Sequence, residues 1–153
     1  MIVRNDGGEN VTYNLTIVTA LTNGGALSIS DLRTDTNDAE DFLSFVLGCI
    51  WNGVLVRGDV LICDNASIHR AAEIVDRLEA AIDAAGVRIL FLPTYSPELN
   101  PCELCFSKAK SYLRYQRGNR PFAEEVMAGF ESITARDIYR FYVSCIDSPL
   151  DDQ

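Results

Sequence analysis

A strand, a helix and a second strand in the middle of the chain constrain its fold most. The segment Asp59 to Asp64 is short and apolar, which is typical of a buried strand. Arg70 to Ala85 has apolar residues at helical spacing and stops at Gly86, and Val87 to Leu92 is again a short apolar run. Because a strand–helix–strand crossover joins parallel strands, the chain is predicted to build an α/β fold around a parallel pair.

The segments before this unit carry signals for a hairpin and a helix. Val11 to Ala20 and Ala26 to Leu32 are predicted strands, joined by the turn signal Asn23-Gly24-Gly25. Asp38 to Trp51 has apolar residues at helical spacing and is predicted to be a helix capped at Asn37 or Asp38. Two strands are therefore expected before the first helix.

Three prolines follow the predicted strand–helix–strand unit at intervals of four residues: Pro93, Pro97 and Pro101. No continuous helix can carry them, because proline lacks the backbone N–H and clashes with the preceding turn. The loop is therefore expected to run extended to Asn100. A helix is predicted from Pro101 to about Arg117, and a helical stretch from Phe122 to Ile146 that breaks near Ser132–Thr134.

The composition is that of a globular protein in a reducing environment. Its 153 residues, 48% hydrophobic and 23% charged, predict one domain over residues 1–153 with a real core. No apolar run reaches the length of a membrane span and the N-terminus is not a signal peptide, so an intracellular location without a membrane partner is expected. The five cysteines are odd in number, which favours reduced thiols over a disulfide framework.

Two sequence blocks that end the parallel strands carry the strongest functional signal. Val60 to Asp64 is followed by Asn65-Ala66-Ser67-Ile68-His69, and Leu92 to Glu103 reads Leu-Pro-Thr-Tyr-Ser-Pro-Glu-Leu-Asn-Pro-Cys-Glu. These blocks resemble the mariner-like branch of the DDE superfamily of transposases and endonucleases. That branch has a strand ending in Asp-Asn-Ala-x-x-His, then Leu-Pro-x-Tyr-Ser-Pro-x-Leu-Asn-Pro-x-Glu. The 39 residues between Asp64 and Glu103 are also similar to the family's spacing.

The resemblance implies a ribonuclease H-like mixed sheet with flanking helices. In that fold three antiparallel strands precede two parallel ones, and the first, central strand carries the first catalytic aspartate. Since only two strands are predicted before the first helix, that strand is expected to be missing. The helical DNA-binding module that precedes the family's catalytic domain is expected to be absent too, so the chain resembles an N-terminally truncated remnant.

The resemblance also implies a reaction: metal-dependent DNA cleavage and strand transfer in transposition. Mg²⁺ or Mn²⁺ would be the cofactor, and Asp64 and Glu103 the catalytic metal ligands, because hard cations prefer carboxylate oxygens. Transposon-end DNA is the implied partner, a homodimer a further expectation, and the nucleus the location in a eukaryote, otherwise the cytoplasm. With two of three carboxylates, the chain is expected to be inactive as it stands.

Each carboxylate also has a structural role open to it. Asp64 can end a strand and cap the helix that follows. Asn100 suits the N-cap of the next helix and Pro101 its first position, which puts Glu103 at the third position of a capping box.

Other residues of the two blocks are expected to shape the site rather than react. Asn65 shapes the turn beside the metal, and the lone histidine, His69, lies near the site in the family, with a purely structural role as its alternative. The rest fix the loop and the start of the helix: Tyr95, Ser96, Pro97, Asn100 and Pro101.

A basic strip follows Glu103 in a chain whose net charge is −9. Asn100 to Arg120 carries five basic residues against one acidic residue. Such a strip favours phosphate binding, although a solvated helix face is the plainer interpretation. The predicted nucleic-acid contacts are Lys108, Lys110, Arg114 and Arg117.

Two other functions remain open on the sequence alone. One is a non-catalytic nucleic-acid-binding or protein-interaction domain derived from a transposase. The other is a small redox or zinc protein that uses the pair Cys102 and Cys105, although a closed zinc site needs two more ligands.

Overall fold

A computed structural model describes residues 2–4, 10–12, 14–21, 26–29, 32–64 and 72–146. The chain divides into two compact units. The terminal unit comprises Met1–Asp35 together with Pro97–Gln153, and the central unit comprises Thr36–Ser96. Both contain strands and helices, so the protein is a mixed α/β protein with a small parallel sheet. The single-domain expectation stays a prediction.

Short antiparallel strands open the terminal unit. β1 (Ile2–Arg4) pairs with β2 (Asn10–Thr12), and β3 (Ile17–Ala20) pairs with β4 (Ala26–Ile29). The predicted hairpin is thus confirmed in β3 and β4, while its turn, Asn23 to Gly25, lies outside the described residues.

The prediction of only two strands before the first helix is wrong, because the described residues contain four. The predicted strand Val11 to Ala20 is divided between β2 and β3. Between them, Asn14 exchanges both backbone hydrogen bonds with Arg33, at 2.8 and 3.0 Å. Because Asn14 pairs with Arg33, β2 and β3 are separate strands and not one continuous strand. Among the described residues, β1 pairs with β2 alone.

The central unit contains the predicted crossover. α1 (Ala39–Trp51) begins at Asp38, whose side chain accepts the Asp41 N–H while the Asp41 side chain accepts that of Asp38. β5 (Val60–Cys63), α2 (Ala72–Ala85) and β6 (Arg88–Phe91) follow, and the two strands pair in parallel as predicted. Gly86 ends α2 with a φ of +69°, a left-handed conformation that glycine adopts without strain.

Three helices complete the terminal unit. α3 (Pro101–Tyr115), α4 (Phe122–Glu131) and α5 (Ala135–Ile146) confirm the predicted helices and the predicted break at residues 132–134. The expectation of an extended loop up to Asn100 is wrong in its last part, because Pro97–Leu99 forms a single 3₁₀ turn. Proline fits the first position of such a turn, since its fixed φ is already close to helical.

One face of α3 forms the core of the terminal unit. Cys105, Ala109 and Leu113 recur every four residues and are buried against Val126 and Phe130 of α4. The helices approach closely at Gly129, where an added Cβ would lie 3.1 Å from the Ala109 carbonyl oxygen. This packing fixes the rotation of α3 about its axis, and so decides which of its side chains face solvent.

A buried carboxylate holds the turn between α3 and α4. Glu125 is 1% exposed, and its Oε1 accepts hydrogen bonds from the backbone N–H groups of Gly118 (3.0 Å) and Arg120 (3.1 Å). The Arg120 guanidinium donates to the same oxygen at 3.3 Å, and the Tyr112 hydroxyl donates to Oε2 at 3.4 Å. Burial alone would raise the pKa of Glu125, but these hydrogen bonds and the Arg120 charge outweigh it and lower the pKa.

We expect Glu125→Gln to destabilise the protein, lowering Tm by on the order of 5 °C, because a neutral amide accepts weaker hydrogen bonds than a carboxylate and does not balance the charge of Arg120. Since the pKa of Glu125 is lowered in the folded protein, its contribution is present at neutral pH and is lost as the pH falls through that pKa. The stability difference between wild type and variant should therefore shrink in acid. Thermal unfolding at several pH values measures this difference in Tm, and substitution of the exposed Glu131 in Glu131→Gln is the control. If the two variants have the same Tm, Glu125 does not have the structural role assigned to it.

Candidate functional site

Asp64 lies at the carboxyl end of the parallel pair. It directly follows Cys63, the last residue of β5, and is exposed. The two strand ends are tied together there, because the Leu92 N–H donates to the Cys63 carbonyl at 2.8 Å. This is the edge at which open α/β sheets bind ligands.

The loop that leaves β6 turns at Tyr95. Among the described residues, Tyr95 is the only non-glycine with a positive φ, +61°, and it is 96% exposed. The turn at Tyr95 and Ser96 is therefore made by the backbone, and packing of the tyrosine ring contributes little to it. A left-handed non-glycine residue is strained, and such residues are concentrated near functional sites.

Glu103 is the third residue of α3. The Asn100 side chain caps the helix by accepting the Cys102 N–H at 3.1 Å, and Pro101 occupies the first position. The Glu103 carboxylate is exposed, and no hydrogen-bond or ion-pair partner is found for it within the described ranges. Helix N-termini favour negative charge, so the position suits a carboxylate even without a partner.

The capping-box alternative for Glu103 is wrong. That motif requires the Glu103 side chain to accept the backbone N–H of Asn100. The Asn100 N–H instead donates to the Pro97 carbonyl at 3.0 Å, because the 3₁₀ turn ends there. The carboxylate of Glu103 is thus not used in starting its own helix.

Two residues of the predicted basic strip share the exposed face of α3 with Glu103. Lys110 and Arg114 follow Glu103 by seven and eleven residues, close to two and three helical turns, and all three are exposed. We call Glu103, Ser107, Lys110 and Arg114 the polar stripe of α3. Arg117 lies beyond the end of the helix, with its guanidinium 5.7 Å from the centre of the Phe122 ring.

Lys108 differs from the other predicted nucleic-acid contacts because its charge is already paired. Its amino group forms an ion pair with Asp137, in the first turn of α5. Asp137 also accepts the Thr134 N–H at 2.8 Å and the Thr134 hydroxyl at 2.6 Å. The hydrogen bond from Lys108, followed by those from Thr134, lowers the pKa of Asp137 to about 2.

The Lys108–Asp137 pair was missed by sequence reasoning. The Thr-x-x-Asp spacing of Thr134 and Asp137 signals a helix start, as the structure shows. The lysine partner lies 29 residues earlier on another helix, and local spacing gives no sign of it.

Asn65 and His69 lie outside the described residues. Of the two predicted metal ligands, Asp64 belongs to the central unit and Glu103 to the terminal unit.

The cysteines have the character of core residues. All five are free, and four of them are buried. Burial, above all, raises the pKa of Cys105 to about 12, so its sulfur is a protonated thiol at neutral pH. No three His, Cys, Asp or Glu side chains lie within metal-binding distance of one another in the described ranges.

Among the described residues, no helix is long and apolar enough to cross a bilayer.

The chain belongs to the DDE superfamily endonucleases. The family described as "DDE superfamily endonuclease" matches residues 5–124, more than three quarters of the sequence. The match includes both sequence blocks, all of α3 and the start of α4. No curated protein matches this chain closely enough to count as a relative.

Substitution is expected to destabilise the protein at Lys108 but not at Lys110. Lys108→Met should lower the free energy of unfolding by about 0.5–1 kcal/mol, because it removes a partly exposed ion pair but keeps the apolar stem. Lys110→Met should leave stability unchanged, since Lys110 is exposed. Because the pKa of Asp137 is lowered to about 2, the effect of Lys108→Met should fade as the pH drops from about 4 towards 2. Urea unfolding at several pH values measures the free energy of unfolding of both variants. If Lys108→Met and Lys110→Met change it equally, the Lys108–Asp137 ion pair does not contribute to stability as proposed.

Proposed function

We propose that this chain is a mariner-like DDE catalytic domain with a ribonuclease H-like fold, built for divalent-metal-dependent cleavage and strand transfer of DNA in transposition. The observation that carries the proposal is the setting of Glu103. It is exposed, unpaired among the described residues, and heads a helix face that continues into Lys110 and Arg114. Family membership supports a nuclease of this general type.

The donor chemistry of Asp64 and Glu103 fits Mg²⁺ or Mn²⁺. Both side chains are exposed carboxylates, one at the end of a strand and the other in the first turn of a helix. Hard cations of this kind take oxygen ligands, and carboxylates also offset their charge. We propose that the two carboxylates share a divalent ion. Such ions, when bound, activate the attacking oxygen and stabilise the leaving one in phosphoryl transfer.

DNA is the proposed substrate, held in part by the polar stripe of α3. The chain as a whole has a net charge of −9, which repels phosphate. Lys110 and Arg114 are exposed on one helix face, about 10 and 16 Å along the axis from Glu103 at the helical rise per residue. Lys110 and Arg114 would hold the phosphate backbone close to the metal ion proposed at Glu103, although the chain as a whole is acidic.

We expect wild-type protein to bind Mn²⁺ and both Asp64→Ala and Glu103→Ala to weaken binding at least tenfold, because each variant removes one of two proposed ligands. The exposed Glu79→Ala of α2 is the matched control and should bind like wild type. Calorimetric titration measures this, and circular dichroism checks folding. Unchanged Mn²⁺ binding in both variants would refute the shared site, and DNA binding without any metal binding would support a non-catalytic domain instead.

Cleavage by the 153-residue chain alone is expected to be absent. Two ions repel one another, and Asp64 and Glu103 supply fewer carboxylates than two-metal chemistry uses. A Mn²⁺-dependent nicking assay on supercoiled DNA is the measurement. Robust cleavage that disappears in Asp64→Ala would show that another residue of the chain supplies the third ligand.

DNA binding should weaken steeply with salt, and the polar stripe should account for part of that dependence. Lys110→Ala and Arg114→Ala should each reduce the slope of log K against log[salt] by about 0.7–0.9, the amount expected for one lost phosphate contact. Arg140→Ala, an exposed arginine on α5, should leave the slope unchanged. Identical slopes in all the variants would mean that the stripe is only a solvated face.

A further inference from the structure

We propose that the end of α3 and the turn after it form a stacking platform for an unpaired DNA base. Tyr115 supplies the aromatic surface, and Arg114 and Arg117 supply charge for the neighbouring phosphates. The proposal rests on the proposed function only in taking DNA as the ligand. It requires neither the metal site nor cleavage.

Tyr115 is a large aromatic residue that takes no part in the core. It is the last residue of α3 and is 74% exposed. The Arg114 guanidinium lies 5.7 Å from the centre of its ring, within the range of a cation–π contact. The ring is therefore held by a cation and still offers most of its surface to solvent.

The turn that follows Tyr115 is held in one shape. Glu125 binds the backbone N–H groups of Gly118 and Arg120, and the Arg120 guanidinium reaches the Tyr112 hydroxyl at 3.1 Å. Beside it, Arg117 lies over the Phe122 ring. A surface fixed before binding loses little conformational entropy when a ligand arrives.

The charge around Tyr115 favours nucleic acid over an apolar or basic partner. From Lys110 to Phe122 the sequence has four basic residues and no acidic one. One of these, Arg120, is paired with the buried Glu125, and the other three are exposed. Proteins that bind single strands combine aromatic rings with arginine and lysine in this way, because every unpaired base has a face that can stack. Bases inside a duplex are already stacked on their neighbours, so the platform fits unpaired nucleotides.

Tyr139 offers an internal comparison. It is 62% exposed on α5, in the same unit. Within the described ranges no cation lies over its ring; Asp137 precedes it by two residues and Arg140 follows it directly. It should therefore not stack with a base in the same way.

The test measures binding of a fluorescent oligothymidylate of about 15 nucleotides, and of the same strand in a duplex, by anisotropy in EDTA. Tyr115→Ala should weaken single-strand binding by roughly 5- to 150-fold, the effect expected for the loss of one aromatic ring that stacks on a base. Duplex binding should not change. Tyr115→Phe, which keeps the ring, should bind like wild type, and so should Tyr139→Ala.

Salt dependence separates stacking from phosphate contact. Tyr115→Ala should lower single-strand affinity without changing the slope of log K against log[salt], whereas Arg114→Ala should lower the slope. Three results would each overturn the proposal: single-strand affinity as high in Tyr115→Ala as in Tyr139→Ala, an equal loss for the duplex, or no single-strand binding by wild type. The oligonucleotide assay contains no divalent ion, so its result does not depend on the proposed metal site. The Mn²⁺ titration tests that site separately.

Discussion

The burial of one face of α3 is the constraint on which the rest of the terminal unit depends. Cys105, Ala109 and Leu113 pack against α4, and the absence of a side chain at Gly129 lets the two helices approach closely. Because successive residues advance by about 100° around the helix, burial of this face places Glu103, Ser107, Lys110 and Arg114 away from it, and these four residues are exposed. The polar stripe is thus a consequence of core packing.

The two ends of α3 are stabilised in different ways. Its first turn contains Glu103, and its last residue, Tyr115, is followed by a turn that Glu125 holds in place. At the start of α3, the Asn100 side chain accepts the Cys102 N–H, and the Asn100 N–H donates to the Pro97 carbonyl. Neither hydrogen bond uses the Glu103 carboxylate. At the other end, Glu125 gives up hydration to hold a turn whose own side chains are exposed. A buried carboxylate that orders a surface turn stabilises one shape of that turn, which is the condition for a preformed binding surface.

The positions of the individual charges distinguish paired from solvent-exposed lysines, which the net charge does not. Lys108 and Lys110 are two positions apart, yet one is paired with Asp137 between helices and the other is exposed. The difference follows from about 200° of helical rotation. A chain with a net charge of −9 can therefore present a basic face, provided that its core fixes which lysines and arginines are exposed.

The sequence by itself determined the local features: the helices, the parallel pair, the break at residues 132–134 and the start of α3 at Pro101. Periodicity, caps and prolines act over a few residues, so one sequence is enough to predict them. Only the tertiary structure decided that Asn14 pairs with Arg33 and divides a predicted strand, and that Lys108 pairs with Asp137. It also decided that the Asn100 N–H bonds to Pro97, so that Glu103 has no side-chain partner among the residues that the structure describes. Such outcomes depend on which polar groups meet after the chain has folded and on the geometry of their approach, and residue spacing along the sequence does not specify either.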